Sequence, residues 1–441
     1  MAERLSAREF LGLLTDDFTE LPHPPRESGP DGPLGWNGYD AARARATART
    51  GETESVVCGT GTVDGTRAVL IAFEFGFLGG SLGQRTGDRL EAAYTHARAR
   101  RLPVVPLVAT GGSRMQEGML ALTQLQRVAR QSVLTRDAGL AQIAVLRDPA
   151  TGGGWATLGA GADVVLALPG AQVGFAGSRV RPADADPAAY TAEAQVAAGS
   201  ADAVVPPAQL RGTLGRWLRL LTAPSSDPAP VPEPLGATGL PATGWDAVRR
   251  ARSPERPRAR AYLDAYFTHR VALSGDRAGG TDPDGMLCGF GEHEGRTVAY
   301  AAQTGTATRP AGYRTAARLI RLADRLGIPV LTLVDTPGAA NDAEAERQGV
   351  GTAIAELFGV VASVRTPVTT LVIGEGGSGG ALALAAPGRT WATPDSYFSV
   401  IAPELAAAIL KRPPEETEET AAQLRLRPQD LADLGVVRDW P

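Results

Sequence analysis

The stretch from residue 366 to residue 384, TPVTTLVIGEGGSGGALAL, restricts the possible folds most. Its first part, residues 367–374, is rich in β-branched residues and contains one helix-forming leucine, which predicts a buried strand. The glycines that follow allow the backbone to turn sharply. Residues 381–385, ALALA, then predict the start of a helix. The first turn of a helix exposes N–H groups without helical partners, so this junction favours a negatively charged group.

A dinucleotide-binding loop is one alternative for this stretch, because GEGGSG at 374–379 matches the GxGxxG pattern. That motif also requires a tight βαβ unit and a ribose-binding acid about 20 residues further on. Asp395 has roughly this spacing, but it lies in TPDS, which is predicted to be a turn. The sequence therefore argues against a dinucleotide site.

Two further motifs fail for lack of a partner residue. GGSGG at 376–380 matches the GxSxG nucleophile elbow, whose serine needs a histidine later in the chain, but the last histidine is His293. Ser378 is therefore expected to be a small turn residue. A Walker A loop needs a lysine within the motif, and the only lysine is Lys411. Two interpretations of this stretch remain. Its backbone amides could stabilise a negative charge, as in an oxyanion hole, or its glycines could be needed only for close packing.

Composition limits the partners and the location. The 441 residues allow two to four domains, and a net charge of −4 gives no basic surface for nucleic acid or anionic membranes. The first residues, MAERLSAREF, carry charges where a signal peptide has an apolar core, and no apolar run is long enough to span a bilayer. We expect a cytoplasmic protein without nucleic-acid or membrane partners. Cys58 and Cys288 are too few for a four-cysteine zinc site, so no metal, zinc included, is expected.

The order of predicted elements repeats in the two halves of the chain. In the first half, a hairpin turning at Asp64 and Gly65 precedes a helix, a strand ending at Gly111, and a glycine turn at Gly153. The second half has a helix, a strand, Gly338 and a further glycine turn, GEGGSGG at 374–380. Gly111 and Gly153 are 42 positions apart in the first half, and Gly338 and Gly377 are 39 positions apart in the second. The repeat predicts a lead-in over residues 1–50, homologous domains over 51–221 and 250–441, and a proline-rich linker over 222–249.

Specific segments of both halves resemble a known family. FEFGFLGGSLG at 73–83, ATGGSRMQEG at 109–118 and DPATGGG at 148–154 resemble the β subunit of bacterial acetyl-CoA carboxylase carboxyltransferase. PAGYRTAARLIRLADRLGIPVLTLVDTPGA at 310–339 and IGEGGSGGALALA at 373–385 resemble its α subunit. The resemblance implies an α/β fold with two crotonase-like ββα-spiral domains in one chain. It also implies carboxyl transfer from carboxybiotin to an acyl-CoA, of the acetyl-CoA to malonyl-CoA type in fatty acid biosynthesis.

The resemblance further implies partners and an assembly. The carboxyl donor is biotin on a biotin carboxyl carrier protein that a biotin carboxylase charges, and the coenzyme A thioester is the substrate. A homodimer is expected, with a hexamer as the alternative. The predicted helices at 113–128 and 352–362 are interpreted as core or as dimer interface.

The chemistry explains why glycines dominate the motifs. Negative charge develops on the thioester oxygen of the acyl-CoA and on the ureido oxygen of biotin, and backbone amides held rigidly can stabilise both. By resemblance, the amides facing the acyl-CoA are those of Gly111 or Gly112 and of Gly153 or Gly154. Those facing biotin are the amides of Gly338 or Ala339 and of Gly376 or Gly377.

Residues beside these turns are candidate ligands for coenzyme A or biotin. The candidates are Gly79, Gly80, Arg85, Arg89 and Arg114 for coenzyme A, and Glu375 and Ser378 for biotin. The charged candidates have alternative roles: Arg85 and Arg89 as solvated surface residues, and Arg114 in an i,i+3 ion pair with Glu117. Glu375 and Asp335 could act in proton transfer, or orient the loop beside them.

Departures from the family pattern keep other functions open. The chain lacks the cysteines of a zinc ribbon, has Ala340, Asn341 and Asp342 where Tyr-Pro-Gly is usual, and has a short loop after Gln303. These changes favour two alternatives: a malonyl-type thioester decarboxylase that needs no biotin, or a specialised carboxylating enzyme of secondary metabolism. A non-catalytic scaffold is a third.

Overall fold

The computed structural model describes residues 5–440. The chain divides into two units, the first ending at Thr222 and the second beginning at Ala223. Each unit is built around one sheet, and each is described by itself.

The first unit contains the strands β1 (Phe18–Glu20), β2 (Val56–Val63), β3 (Thr66–Phe73), β4 (Val104–Thr110), β5 (Ile143–Thr151), β6 (Val164–Ala167), β7 (Val173–Gly174) and β8 (Ala203–Val204). Its helices are α1 (Ala7–Leu14), α2 (Tyr39–Thr50), α3 (Gln84–Arg100), α4 (Gly118–Leu122), α5 (Gln124–Asp137), α6 (Gly152–Gly154), α7 (Ala192–Ala197) and α8 (Pro207–Leu221). Short 3₁₀ turns occur at Leu78–Gly80, Met115–Glu117 and Pro187–Tyr190, and a π-type turn at Trp155–Gly159.

The sheet of the first unit has the order β1-β2-β3-β4-β5-β6-β8, with β7 also paired to β5. The pairs β1–β2 and β2–β3 are antiparallel, and the remaining pairs are parallel. The predicted hairpin is confirmed: Val63 faces Thr66, and Asp64 and Gly65 both have positive φ, as a tight two-residue turn requires. Because parallel strands are covered on both faces, β4 is buried throughout.

The second unit contains the strands β9 (His269–Ala272), β10 (Met286–His293), β11 (Arg296–Gln303), β12 (Val330–Thr336), β13 (Val368–Gly377), β14 (Thr390–Ala392) and β15 (Tyr397–Ser399). Its helices are α9 (Gly244–Arg252), α10 (Ala259–Tyr266), α11 (Pro310–Leu326), α12 (Ala343–Arg347), α13 (Val350–Ser363), α14 (Ser378–Leu382), α15 (Pro403–Ile409), α16 (Thr417–Gln423) and α17 (Pro428–Asp433). A 3₁₀ turn lies at Pro414–Glu416.

The second sheet repeats the plan of the first. Its order is β9-β10-β11-β12-β13-β14, with antiparallel pairs up to β11, parallel pairs beyond it, and β15 paired to β13. The helix after the hairpin has 17 residues in both units, α3 in one and α11 in the other. The predicted repetition of elements is therefore confirmed.

The predicted end of one strand is wrong. The sequence predicts that the strand beginning at residue 367 ends at 374, but β13 continues to Gly377. It continues because Gly376 pairs with Thr336 on one side and with Phe398 on the other. A side chain at Gly376 would lie 2.6 Å from the Phe398 ring, so glycine permits this pairing instead of ending the strand.

The single helix predicted over residues 113–128 is also wrong. The chain makes the 3₁₀ turn Met115–Glu117, breaks at Gly118, where φ is +50°, and then forms α4 and α5. Met115 and Met119 are 77% and 66% exposed, so they are not core residues of the unit.

The N-terminal lead-in is part of the first unit. Residues 1–4 of the predicted segment lie outside the described residues, and α1 and β1 of the remainder pack on the sheet. Phe10, Leu11 and Leu14 of α1 are buried, and β1 adds an edge strand to β2. In the described part of the chain, no helix combines the length and apolar character needed to cross a membrane.

Candidate active site

Two backbone bends of the first unit lie against each other at the carboxyl ends of β4 and β5. We name residues 110–114 the first bend and residues 151–154 the second bend. A Cβ atom at Gly152, which has φ +65°, would lie 3.1 Å from the Gly112 Cα. The Thr151 hydroxyl donates to the Thr110 carbonyl at 3.1 Å. The closeness of the bends therefore requires glycine at these positions.

The amides of these bends differ in availability. Gly111 donates its N–H to the Gly79 carbonyl at 2.9 Å, and Gly112 donates to the Thr110 hydroxyl at 3.0 Å. Among residues 5–440, the amides of Gly153, Gly154 and Ser113 have no hydrogen-bond acceptor. Of the amides expected to face the acyl-CoA, those of Gly153 and Gly154 are therefore free, whereas that of Gly111 is engaged. The Ser113 amide was not among the expected donors.

Gly79 and Gly80 support the first bend from a neighbouring loop. The Gly79 carbonyl accepts the Gly111 N–H, and a side chain at Gly80 would collide with the Ala109 carbonyl. Both residues lie beside the bend, and their expected role toward coenzyme A stays a prediction.

The three arginines proposed for coenzyme A are held by protein groups. Arg89 is buried and donates to the Val56 carbonyl at 2.9 Å and to the Thr53 hydroxyl at 2.6 Å, so its interpretation as a solvated surface residue is wrong. Arg85 is partly buried and donates to the Arg26 carbonyl at 3.0 Å.

Arg114 also lies inside the protein, with 1% of its side chain exposed. The expected contact with Glu117 exists at 3.5 Å, but the closer carboxylate is that of Glu54 at 2.5 Å. The i,i+3 spacing indicated Glu117 as the ion-pair partner of Arg114, whereas the closer partner, Glu54, is distant in sequence.

The second unit has a third bend, residues 336–340, after β12. The Gly338 N–H donates to the Thr336 hydroxyl at 3.1 Å, as Gly112 does to Thr110. Thr308 bonds through its N–H to the Gly338 carbonyl and through its carbonyl to the Ala340 N–H. Leu82 makes the same pair of bonds to Gly112 and Arg114 in the first unit. Gly338 is therefore equivalent to Gly112, and Ala339 to Ser113.

The fourth bend, residues 377–380, follows β13. Gly376 and Gly377 belong to the strand and pair with Phe398 and Ser399. Ser378 has φ +59° and corresponds to Gly152. In this register Gly379 and Gly380 correspond to Gly153 and Gly154. The spacing between equivalent residues of the two bends is then 41 positions in both units, from 112 to 153 and from 338 to 379.

This register changes which donors the second unit offers. In the described part of the chain, the amides of Gly379, Gly380 and Ala339 have no acceptor. Gly376 and Gly377, which the sequence predicts as donors, lie in the ladder of β13. Equal spacing of the bends in the two halves was the signal that would have identified residues 379 and 380.

Gly380 brings the third and fourth bends into contact. A Cβ atom here would lie 2.6 Å from the Ala339 nitrogen and 2.6 Å from the Tyr313 hydroxyl. Tyr313 is fully buried, and burial raises the pKa of its hydroxyl. Any side chain at residue 380 would therefore displace the free amide of Ala339.

Charged groups beneath the fourth bend are paired. Asp335 is fully buried and accepts from Arg256 at 2.6 Å, from Arg258 at 3.3 Å and from the Glu375 N–H at 3.2 Å. Glu375 in turn accepts from Arg252 and from the Tyr397 hydroxyl, both at 2.9 Å. The two carboxylates therefore orient the end of β13, and neither is a free base.

Loss of the Asp335 carboxylate is expected to destabilise the protein strongly. Asp335→Ala leaves the buried Arg256 guanidinium without its partner, which typically costs about 3–5 kcal/mol. Asp264→Ala is the control, since it removes an exposed pair with Arg270 worth about 1 kcal/mol or less. Urea unfolding measures both variants, and equal losses of stability would contradict this role for Asp335.

The two units, each with a parallel-rich sheet and two facing bends, define a class of crotonase-like carboxyltransferases. A family model described as carboxyl transferase domain matches residues 36–203. A second, described as acetyl co-enzyme A carboxylase carboxyltransferase-like, matches residues 241–439. The crotonase-like fold class expected from the sequence is confirmed by solved carboxyltransferase structures.

Two of these solved structures cover almost the whole chain. Transcarboxylase 12S, with methylmalonyl-coenzyme A and methylmalonic acid bound, has a TM-score of 0.81 at 22% identity, covering 99% of this chain and 86% of its own. A single-chain, multi-domain long-chain acyl-CoA carboxylase has a TM-score of 0.74 at 19% identity, covering 99% and 46%. At these identities the likeness concerns the fold.

Curated relatives give the family. The acetyl-coenzyme A carboxylase carboxyl transferase subunits beta/alpha of Saccharopolyspora erythraea are 40% identical over 422 positions, covering 90% of this chain and 73% of the relative. The protein of the same name from Salinispora arenicola is 40% identical over 465 aligned positions, covering 98% and 81%. The chain belongs to the family of fused β/α acetyl-coenzyme A carboxylase carboxyltransferases, as the resemblance implied.

Proposed function

We propose that this protein transfers a carboxyl group between biotin on a carrier protein and an acyl-CoA, with acetyl-CoA as the acceptor. One observation carries the proposal: each unit has a pair of facing bends, and both pairs offer backbone N–H groups that have no acceptor among residues 5–440. Two sets of donors match a reaction in which charge develops on two oxygens. The family to which the chain belongs supports the same reaction.

In this proposal the first unit binds the acyl-CoA thioester. The amides of Gly153 and Gly154, with that of Ser113 opposite, donate to the thioester oxygen as the α-carbon gains negative charge. Because the bends are fixed by glycine contacts and by the Thr151–Thr110 bond, the donors do not have to reorganise during the reaction.

The second unit binds biotin in this proposal. Biotin supplies the carboxyl group and, once it is released, carries negative charge on its ureido oxygen. The free amides of Ala339, Gly379 and Gly380 suit such an oxygen, because they have no acceptor in the described part of the chain and two of them belong to glycines of the fourth bend. Glu375 lies in β13 just before the fourth bend and Ser378 lies within it, and their contact with biotin is a prediction.

No resident metal enters the proposal. Among residues 5–440, no three His, Cys, Asp or Glu side chains are grouped so that they could hold a metal ion. The carrier protein, the biotin carboxylase, the homodimer and the cytoplasmic location remain predictions from the resemblance and the composition.

Isotope exchange tests the function directly. Label from carboxyl-labelled malonyl-CoA is expected to appear on free biotin or on biotinylated carrier protein when this protein is present. The same assay without biotin measures release of CO₂. Release without any transfer to biotin would favour the thioester decarboxylase instead, and absence of both reactions would favour the non-catalytic scaffold. A panel of acyl-CoA acceptors with carboxylated biotin then identifies the preferred acyl group.

A further inference from the structure

The first bend is held by a buried arginine whose hydrogen-bond partners are themselves buried. The Arg114 guanidinium donates to the Glu54 carboxylate at 2.5 and 3.0 Å and to the Ser81 carbonyl at 2.7 Å. Burial alone would raise the pKa of Glu54, but the charge and hydrogen bonds of Arg114 lower it below its usual value. The pair therefore stays ionised inside the protein.

The backbone of the same residue fixes the bend. The Arg114 N–H donates to the Leu82 carbonyl at 2.9 Å, and the Leu82 N–H donates to the Gly112 carbonyl at 2.9 Å. Side chain and backbone of Arg114 thus hold the segment at residues 81–82 against the bend. Because Ser113 lies between Gly112 and Arg114, the direction of its free N–H depends on these bonds.

Tyr39 connects this arrangement to the N-terminal segment. Its hydroxyl donates to the Glu117 carboxylate at 2.6 Å and accepts from Arg114 at 3.2 Å. The other oxygen of Glu117 accepts the Gln84 N–H at 2.6 Å, at the start of α3. The fully buried Tyr39 therefore links α2 to the residues that follow the bend and to α3.

The fold itself does not need this network. In the second unit the residue equivalent to Arg114 is Ala340, and the third bend is held by backbone bonds to Thr308 and by the Thr336 hydroxyl. The buried ion pair of that unit, Asp335 with Arg256, lies beneath the fourth bend instead. A buried ionic cluster is costly to desolvate, so its position against the first bend calls for a reason other than stability.

We propose that Arg114 and Tyr39 are positioning residues that aim the Ser113 amide at the acyl-CoA thioester, an inference that rests on the proposed function. Arg114 acts through its hold on residues 81–82 and the bend, and Tyr39 acts through Arg114 and Glu117. Neither residue touches the substrate. The sequence suggested Arg114 as a coenzyme A ligand. In this proposal it supports the acyl-CoA site by holding the first bend and does not bind the ligand.

Tyr39→Phe tests the proposal with a small change. It removes one hydroxyl, so Arg114 keeps Glu54 but loses a partner, and the bend shifts slightly. Misplacement of a reacting group by an ångström costs about 100-fold in rate, so a smaller shift is expected to lower kcat about tenfold. KM for malonyl-CoA should change less than twofold, because binding contacts are untouched. Exchange with biotin is measured at a temperature at which circular dichroism shows the variant fully folded.

Tyr266→Phe is the matched control in the second unit. Its hydroxyl donates one hydrogen bond, to the Pro230 carbonyl at 3.0 Å, away from the bends. A comparable loss of melting temperature is expected for both variants, with kcat unchanged in the control only. Normal kcat in folded Tyr39→Phe would overturn the proposal, as would an equal loss in the control.

Arg114→Lys provides a second test that keeps the buried charge. Lysine reaches Glu54 with one ammonium group but cannot also hold the Ser81 carbonyl with a planar fork. A fall in kcat larger than that of Tyr39→Phe, again with little change in KM, is expected, and full activity would overturn the proposal. Absence of exchange in the wild-type protein would instead refute the proposed function.

Discussion

Gly153→Pro is expected to lower carboxyl transfer about 10²- to 10³-fold while the chain still folds. The Gly153 N–H has no acceptor among the described residues, so the folded protein loses no internal hydrogen bond when proline removes it. Gly153 is the second residue of α6, directly after Gly152, which has φ +65°. Proline is tolerated in the first turn of a helix, where the N–H groups have no helical acceptors.

Gly153→Ala separates the loss of the donor from the addition of a side chain. Both variants add a Cβ atom, which meets the flexible end of the Leu125 side chain, but alanine keeps the N–H. The crowding caused by the Cβ atom is therefore shared, and only the proline variant loses the N–H that is proposed to donate to the thioester. Exchange kinetics and thermal unfolding are measured for both. Similar activity of the two variants would remove the Gly153 amide from the mechanism.

Patterns within a short stretch of sequence predicted most of the fold. The hairpin at Asp64 and Gly65 depends on residues that adopt positive φ, and buried strands such as β4 depend on continuous apolar runs. The repeated order of elements then implied two similar sheets, and this is what the chain forms. Each of these inferences needed only neighbours in sequence or the comparison of one half with the other.

The identity of the free amides could not be predicted in the same way. Whether an N–H is free depends on partners distant in sequence, such as the Gly79 carbonyl for Gly111 and the pairing of β15 with Gly376 and Gly377. Glycine normally ends a strand, so the sequence placed the last strand residue at 374. Parallel pairing overrides that tendency and moves the bend three residues along the chain.

Buried charges were missed for a related reason. The partner of Arg114 is Glu54, 60 positions earlier, whereas helical spacing points to Glu117. Arginine is usually exposed, so Arg89 was expected at the surface. Partners distant in sequence, Glu54 for Arg114 and Thr53 for Arg89, hold these side chains inside the unit instead.

Gly379→Pro is expected to abolish transfer to biotin, again by about 10²- to 10³-fold, and to leave the binding of malonyl-CoA intact. Gly379 corresponds to Gly153, its N–H has no acceptor among residues 5–440, and a Cβ atom at this position would meet nothing within 4 Å. Gly379→Ala should therefore be close to wild type, which makes it a cleaner control than alanine at residue 153.

The two halves of the reaction can be separated with this pair of variants. Thermal shift with malonyl-CoA should be the same for wild type and Gly379→Pro, because the donors proposed for the thioester lie in the first unit. Transfer of label to biotin should persist in the alanine variant and disappear in the proline variant. If Gly379→Pro transferred the carboxyl group normally, the donors for biotin would have to be sought elsewhere, with the amides of Ala339 and Gly380 as the remaining candidates. If it also lost malonyl-CoA binding, the division of labour between the two pairs of bends would be wrong, because a single N–H would then serve both substrates.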